Sequence, residues 1–209
     1  MLTDMKPSIE LVLLDVDGVL LDYQRAHRVQ HFARSLGVAA EDVSRLLFET
    51  GLETRYDSGQ LDTATYLHSL SEGLQQVVSE ADWIAARVAG CRPRPDVVQR
   101  LMALPGSLRL AVLTNNGALM AQVVAQLLPG LCARIGSDAV LCSGMLGGRK
   151  PDPAVFTRAL QRLQGTAART LFVDDLFTNV RGARSAGLHA ETVRDGRGLG
   201  RVLRRYGLG

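Results

Sequence analysis

Two pairs of aspartates stand directly after apolar runs in this chain. Asp15 and Asp17 follow the run LVLL at residues 11–14, and Asp174 and Asp175 follow the run LFV at residues 171–173. Carboxylates held close together destabilise a fold unless a cation compensates their charge. Carboxylate oxygens with no histidine or cysteine beside them favour Mg²⁺. The two pairs therefore predict a magnesium site, provided that the fold brings them together.

Thr114, Asn115 and Lys150 are suited to chemistry on an anion. Thr114 and Asn115 follow the apolar run at residues 109–113, where a hydroxyl and the backbone amides after it can cradle a phosphate. Lys150 stands in a loop and supplies a fixed positive charge. A carboxylate nucleophile, a second carboxylate two residues on, a hydroxyl, a lysine and Mg²⁺ suit phosphoryl transfer through an aspartyl-phosphate.

The spacing of apolar residues predicts the elements that must position these side chains. Short strand-like runs alternate with amphipathic helical patterns, which is typical of a parallel sheet with helical crossovers. Ligands of such sheets bind beyond the carboxyl ends of the strands. The predicted strands are residues 9–14, 109–113, 139–142, 170–173 and 189–193. We therefore expect an α/β fold, with a Rossmann-like, doubly wound parallel sheet of about five strands.

The stretch from residue 22 to residue 95 has a different character. Amphipathic helical patterns dominate it, at residues 26–36, 41–48, 63–74 and 80–89, and no run in it is typical of a strand. It ends at Pro93 and Pro95, which predict a stiff, non-helical connector. We expect a core domain of residues 1–21 and 96–209 and an inserted α-helical cap domain of residues 22–95. Such a cap would close over the strand ends and exclude water.

Composition argues against several classes of protein. The chain has 209 residues, 46% of them hydrophobic and 22% charged, with a net charge of +3, as in an ordinary globular protein. Its basic residues are dispersed and only 5% of its residues are aromatic, which argues against nucleic-acid binding. No apolar stretch approaches the ~20 residues of a membrane span. Three cysteines without metal-ligand spacing favour a reduced, cytoplasmic location. The oligomeric state stays open.

Four motifs, in their order and spacing, resemble the haloacid dehalogenase superfamily of hydrolases. They are Asp-Val-Asp-Gly-Val at residues 15–19, Thr114, Lys150-Pro151 and Asp174-Asp175. The insert after the first motif resembles the cap of the superfamily's first subfamily. The stretches around the last two motifs are similar to sugar-phosphate phosphatases and to the phosphatase domain of soluble epoxide hydrolase.

The resemblance implies a role for each motif residue. Asp15 would be the nucleophile and Asp17 the acid/base, while Thr114, the amide of Asn115 and Lys150 would bind the phosphate. The metal site would be a Mg²⁺ site formed by Asp15, the backbone carbonyl of Asp17, Asp175, and Asp174 directly or through water. The implied substrate is a small phosphorylated metabolite. Arg55 and Tyr56, beside a predicted turn of the cap, are candidate substrate contacts.

Three alternative functions are compatible with all or part of this pattern. A 2-haloacid dehalogenase needs no metal and lacks the second aspartate, so Asp17, a proton donor for an ester's leaving group, favours a phosphatase. A phosphoglucomutase-like phosphotransferase would keep the same residues, but its last motif usually reads Glu-Asp-Ser, where this chain has Asp174-Asp175-Leu176. A non-catalytic binding protein would not need the complete set.

Overall fold

A computed structural model of the chain describes residues 8–209, so the first seven residues of the expected core domain lie outside the described part. The strands are β1 (Leu11–Leu14), β2 (Leu21–Tyr23), β3 (Cys91–Pro93), β4 (Arg109–Thr114), β5 (Val140–Cys142), β6 (Thr170–Asp174) and β7 (His189–Thr192). The helices are α1 (Arg25–Leu36), α2 (Ala40–Phe48), α3 (Leu52–Asp57), α4 (Thr63–Leu74), α5 (Glu80–Ala89), α6 (Pro95–Met102), α7 (Met120–Leu127), α8 (Pro129–Ile135), α9 (Pro153–Leu163), α10 (Phe177–Ser185) and α11 (Gly196–Arg205).

The predicted parallel sheet is confirmed. Its five strands lie in the order β5-β4-β1-β6-β7. β1 is central and pairs in parallel with β4 on one side and with β6 on the other. Because the chain moves outwards in opposite directions from β1, the carboxyl ends of β1, β4 and β6 meet at a topological switch point. All the predicted aspartates, Thr114 and Asn115 lie at this edge or in the loops directly after it.

Helices cover both faces of the sheet, which explains why β1 reads as an unbroken apolar run. Val12 and Leu14 pack into one hydrophobic cluster, and Leu11 and Leu13 pack into another on the opposite face. Successive side chains of a strand alternate between faces, so a strand covered on both sides needs apolar residues throughout. Along β1, polar side chains therefore begin only after the end of the strand, where Asp15 stands.

Helices α1 to α5 form an insert between β2 and β3. The two strands at its ends differ from what the sequence analysis predicted. The prediction that residues 22–95 contain no strand is wrong, because β2 and β3 pair antiparallel, Leu21 opposite Pro93 and Tyr23 opposite Cys91. Each strand is only three residues long, and its partner is far away along the chain, so no local pattern marks it. Asp62 caps α4, its side chain accepting a 2.7 Å hydrogen bond from the Thr65 amide. None of the helices within residues 8–209 is long and apolar enough to cross a membrane.

We expect Gly182→Ala to destabilise the protein by about 1–3 kcal/mol, the usual range for overpacking. Gly182 lies in α10, where an added Cβ would overlap the carbonyl oxygen of Pro151. That carbonyl belongs to the loop that carries Lys150, and backbone cannot move aside as a flexible side chain can. Urea unfolding followed by circular dichroism measures the effect.

Gly130→Ala in α8 is the matched control. A Cβ at Gly130 would meet nothing within 4 Å, so alanine should leave stability unchanged or raise it by about 0.5–1 kcal/mol. Equal urea midpoints for Gly182→Ala and the unmodified protein would show that the helix and the Pro151 loop are not in close contact.

Candidate active site

A cavity of about 440 Å³ lies at the carboxyl ends of β1, β4 and β6, a volume that suits a small-molecule ligand. The residues that line it come from the core and from the segments that join the core to the insert. They are Asp15, Asp17, Gly18, Asp22, Tyr23, Arg94, Thr114, Asn115, Asn116, Arg149, Asp175, Leu176 and Asn179. Five of the residues predicted from the sequence therefore meet at one cavity.

Lys150 bridges two carboxylates beneath the cavity. Its ammonium lies 2.8 Å from Asp15 Oδ1 and 2.8 Å from Asp174 Oδ2, and the side chains of Lys150 and Asp174 are fully buried. Burial opposes the charged form of the lysine, but the two carboxylates outweigh it and raise the pKa of the ammonium. The site therefore holds a permanent positive charge beside Asp15.

Asn115 fixes the position of this lysine. Its side-chain oxygen accepts a 2.8 Å hydrogen bond from the Lys150 amide, and its side-chain nitrogen donates a 2.9 Å bond to the Lys150 carbonyl. The end of β4 thus holds the loop that follows β5. The sequence analysis proposed a phosphate-binding role for the Asn115 backbone amide and did not foresee this role of its side chain.

Asp174 and Asp175 have different surroundings. Asp174 is fully buried and accepts hydrogen bonds from Lys150, from the Leu176 amide at 2.8 Å and from the Asn179 side chain at 3.0 and 3.1 Å. Asp175 lines the cavity and is half-buried. The protein therefore satisfies Asp174 and leaves Asp175 open to a ligand.

The three carboxylates Asp15, Asp174 and Asp175 can present oxygens that all lie within 4.8 Å of one another. Burial raises the pKa of Asp15 to about 7, opposed by Lys150 and assisted by Asp174. Burial also raises the pKa of Asp175, and Asp174 adds to the rise. One lysine thus does not fully compensate the cluster, and its all-oxygen donors fit a hard divalent cation such as Mg²⁺.

The chain bends at Val16, between Asp15 and Asp17, so both residues reach the same cavity although they are only two positions apart. Gly18 continues the turn with φ of 81°, a left-handed conformation that glycine adopts without strain. A Cβ at this position would also overlap the carboxylate of Asp175. Gly18 is therefore required both by the turn and by the close approach of Asp175.

Asp17 is held by two residues that the sequence analysis did not predict. Its Oδ2 accepts hydrogen bonds from Arg87 Nη2, on α5 of the insert, and from Asn116 Nδ2 at 3.2 Å. Asn116 Nδ2 also donates to the Thr114 hydroxyl at 2.8 Å. Asn116 is one polar residue in a loop, and Arg87 is one charged residue of an amphipathic helix, so no local signal marks either.

The structure does not bring Arg55 and Tyr56 to the cavity. Arg55 is exposed, and Tyr56 is buried with its ring stacked on Tyr66 at 4.1 Å. The Tyr56 hydroxyl accepts a 3.1 Å bond from the Leu119 amide of the core. An added Cβ at Gly117 would overlap the Tyr56 ring, so the two residues pack tightly. Tyr56 joins the insert to the core through packing, which a pattern of residue types cannot distinguish from substrate contact.

We expect the stability of the protein to fall between pH 5 and pH 8, and we expect Asp57→Asn to remove part of this fall. Asp57 of α3 is buried and accepts a 2.9 Å bond from the Gly117 amide. Burial raises its pKa to about 7, Glu53 adds to the rise, and Arg149 and Arg28 oppose it. As the pH rises towards 7, the unfolded chain releases this proton while the folded chain keeps it, so the folded state loses stability until the pH passes about 7.

Asparagine keeps the acceptor for Gly117 without the titration. The difference in Tm between Asp57→Asn and the unmodified protein should therefore shift in favour of the variant by roughly 4–8 °C between pH 5 and pH 8. This shift is equivalent to about 2 kcal/mol. Differential scanning fluorimetry measures this. Asp62→Asn, the same change at an exposed position of the insert, should show no such gain. A Tm difference that stays constant across this pH range would contradict the argument.

The chain is similar to known proteins both in sequence and in fold. Residues 9–187 match the family of haloacid dehalogenase-like hydrolases. Phosphatase MT3486 of Mycobacterium tuberculosis (strain CDC 1551 / Oshkosh) is 29% identical over 198 residues, covering 89% of this chain and 88% of that protein. A structure described as a predicted HAD-like family hydrolase from Porphyromonas gingivalis has a TM-score of 0.75 and 23% identity, covering 94% of this chain and 98% of that one.

A further solved structure is similar in fold. It is a HAD family enzyme from Bacteroides thetaiotaomicron in complex with magnesium and inorganic phosphate, with a TM-score of 0.72 and 18% identity, covering 90% of this chain and 96% of that one. The match over residues 9–187 spans most of the chain and contains every motif residue on which the resemblance depends. The chain therefore belongs to the haloacid dehalogenase-like hydrolases.

Proposed function

We propose that this hydrolase is a Mg²⁺-dependent phosphatase that cleaves a small phosphomonoester through an aspartyl-phosphate intermediate. The observation that carries the proposal is the buried Lys150 between Asp15 and Asp174, with Asp175 open to the same cavity. This set supplies a carboxylate nucleophile, a fixed positive charge and oxygen ligands for a cation within one small volume.

Asp15 would attack the phosphorus atom of the substrate. A bond forms between an Asp15 carboxylate oxygen and phosphorus, and the bond from phosphorus to the ester oxygen breaks. Lys150 would counter the negative charge of both the nucleophile and the transferred group. The Thr114 hydroxyl and the Asn115 amide would bind the non-bridging phosphate oxygens, and both residues line the cavity.

Asp17 would move protons in both halves of the reaction. It first gives a proton to the departing alkoxide, which leaves as an alcohol. It then takes a proton from a water molecule that attacks the phosphorus of the aspartyl-phosphate, which releases inorganic phosphate and restores Asp15. The presence of this second carboxylate in the cavity supports a phosphatase over a dehalogenase, which has no leaving alcohol to protonate.

Asp15, Asp175 and the backbone carbonyl of Asp17 would hold the Mg²⁺ ion, with Asp174 acting through water because protein donors already satisfy its oxygens. When bound, the ion supplies positive charge that stabilises the phosphate oxygens in the transition state. The choice of Mg²⁺ agrees with the solved structure of similar fold that contains magnesium and inorganic phosphate.

Residues 22–95 would act as the cap domain over this site. The insert already reaches the cavity, since Arg87 of α5 contacts Asp17. The cavity of about 440 Å³ has room for a small phosphorylated metabolite, and we propose this class of substrate. The free state of Cys91, Cys132 and Cys142 supports a reduced, cytoplasmic location.

The decisive experiment measures phosphate release from a panel of sugar phosphates, nucleotides and phosphoglycolate. We expect turnover of at least one phosphomonoester with Mg²⁺ and none after EDTA, restored by added Mg²⁺. Chloride release from a 2-haloacid without metal would identify a dehalogenase instead. Isomerised sugar phosphate would identify a mutase, and no turnover of any substrate would indicate a binding role.

A further inference from the structure

We propose that Arg87, from the insert, positions the carboxylate of Asp17 for proton transfer. Arg87 Nη2 donates to Asp17 Oδ2 and, at 3.2 Å, to the side-chain oxygen of Asn116. Asn116 in turn donates to the same Asp17 oxygen at 3.2 Å. The three side chains thus form a closed set of hydrogen bonds. The inference rests on the proposed role of Asp17 as the acid/base.

The surroundings of Arg87 hold its guanidinium rigidly. The residue is only 2% exposed, and its guanidinium carbon lies 3.9 Å from the centre of the Tyr23 ring. Its Nε lies 3.4 Å from the sulfur of Met120 on α7. A buried arginine held between fixed neighbours differs from an arginine in a surface ion pair, because its guanidinium cannot turn towards solvent.

The two oxygens of Asp17 have unequal environments. Oδ2 accepts from both Arg87 and Asn116, whereas Oδ1 is buried and has no hydrogen-bond partner among residues 8–209. Two donors on one oxygen anchor the carboxylate against rotation. The anchored carboxylate belongs to a residue that lines the cavity, where the leaving alcohol and water exchange protons with it.

The acid/base residue belongs to the core, whereas the residue that orients it belongs to the insert. Asp17 stands in the loop after β1, but the guanidinium that orients it comes from α5. Proton transfer needs heavy atoms about 2.6–3.2 Å apart. A misplacement of about 1 Å at a reacting group costs on the order of 100-fold in rate. The insert therefore contributes to protonation of the leaving group as well as to closing the cavity.

Arg87→Met tests the inference through the dependence of the rate on the leaving group. Nitrophenolate leaves without a proton, whereas the alkoxide of glycerol phosphate needs one. We expect kcat/KM to fall by about 30- to 100-fold on glycerol phosphate and by about threefold or less on 4-nitrophenyl phosphate. Arg87→Lys restores a cation at this position and should recover at least about fivefold of the loss on glycerol phosphate, with no gain on the aryl ester.

Arg28→Met is the matched control, because Arg28 is also a buried arginine of the insert but pairs with Glu53 at 2.7 Å instead of Asp17. It should lower stability without changing the ratio of the two rates. Equal losses on both substrates for Arg87→Met, or the same change of ratio in Arg28→Met, would overturn the proposal. If Arg87→Met does not fold, Arg87→Lys is compared with the unmodified protein, and an unchanged ratio overturns the proposal equally. If the unmodified protein does not cleave glycerol phosphate, the best alkyl phosphate of the panel above replaces it, and failure on the whole panel would count against the proposed function and not against the positioning role.

Discussion

Asp15→Asn should lower kcat by at least about 10⁴-fold, the scale seen when a covalent nucleophile is removed. The amide that replaces the carboxylate cannot be phosphorylated in the same way, since it is neutral and a far weaker nucleophile. The substitution keeps the shape of the side chain and leaves one oxygen to accept from Lys150, which now lies 2.8 Å from Asp15 Oδ1. Phosphate release under saturating Mg²⁺, with the best substrate of the panel, measures the loss.

The thermal stability of Asp15→Asn provides the control, because it shows whether the variant is folded. Burial raises the pKa of Asp15 to about 7, so the folded state disfavours its ionised form. In the absence of metal this charge lowers stability progressively as the pH rises towards 7, and asparagine removes the penalty. The Tm of metal-free Asp15→Asn at pH 8 should therefore equal or exceed that of the unmodified protein. Full turnover by a folded Asp15→Asn protein would refute the aspartyl-phosphate mechanism.

Lys150→Met should damage both stability and activity. Without the ammonium, Asp15 and Asp174 become two buried carboxylates with no positive charge between them, whereas each now lies 2.8 Å from Lys150 Nζ. Removing one partner of a buried ion pair costs about 3–5 kcal/mol. We also expect kcat to fall by at least about 10³-fold, because the charge beside the nucleophile is a large part of transition-state stabilisation.

Urea unfolding at pH 8 and at pH 5 measures the stability loss of this variant. The loss should be smaller at pH 5, because a proton on one of the two carboxylates relieves their repulsion. Lys150→Arg keeps the charge and should retain most of the stability while placing the cation less accurately. A Lys150→Met protein as stable as the unmodified one at pH 8 would show that the carboxylates do not depend on this lysine.

The sheet could be predicted because its signals are local. Each strand of the parallel sheet is a short apolar run between helical patterns, and the observed strands agree with the predicted runs to within two residues at either end. The β2 and β3 pair was missed because its pairing is a tertiary event between two three-residue segments. Helix α3 was missed too, because its six residues are too few to show a helical period.

The residues of the candidate site likewise fall into those that could be predicted from the sequence and those that could not. Residues that stand at strand ends, such as Asp15, Thr114 and Asp174, could be assigned to one place because parallel strands end at a common edge. Arg87 and Asn179 act on the site from helices, where a charged or polar residue is ordinary. Tyr56 is the opposite case. Its residue type and place beside a turn suggested substrate contact, but the side chain is buried and packs against Tyr66.

Residue types and their spacing were enough to predict the parallel sheet, the family and the set of carboxylates with their lysine, because each depends on residue type at a recurrent position in a local pattern. Which oxygen each donor contacts became known only from the tertiary structure. It showed that protein donors satisfy Asp174, that Asp175 stays open, and that α5 supplies a guanidinium to Asp17. Such contacts join segments far apart along the chain, and their geometry depends on the packing of whole elements, which no local pattern encodes.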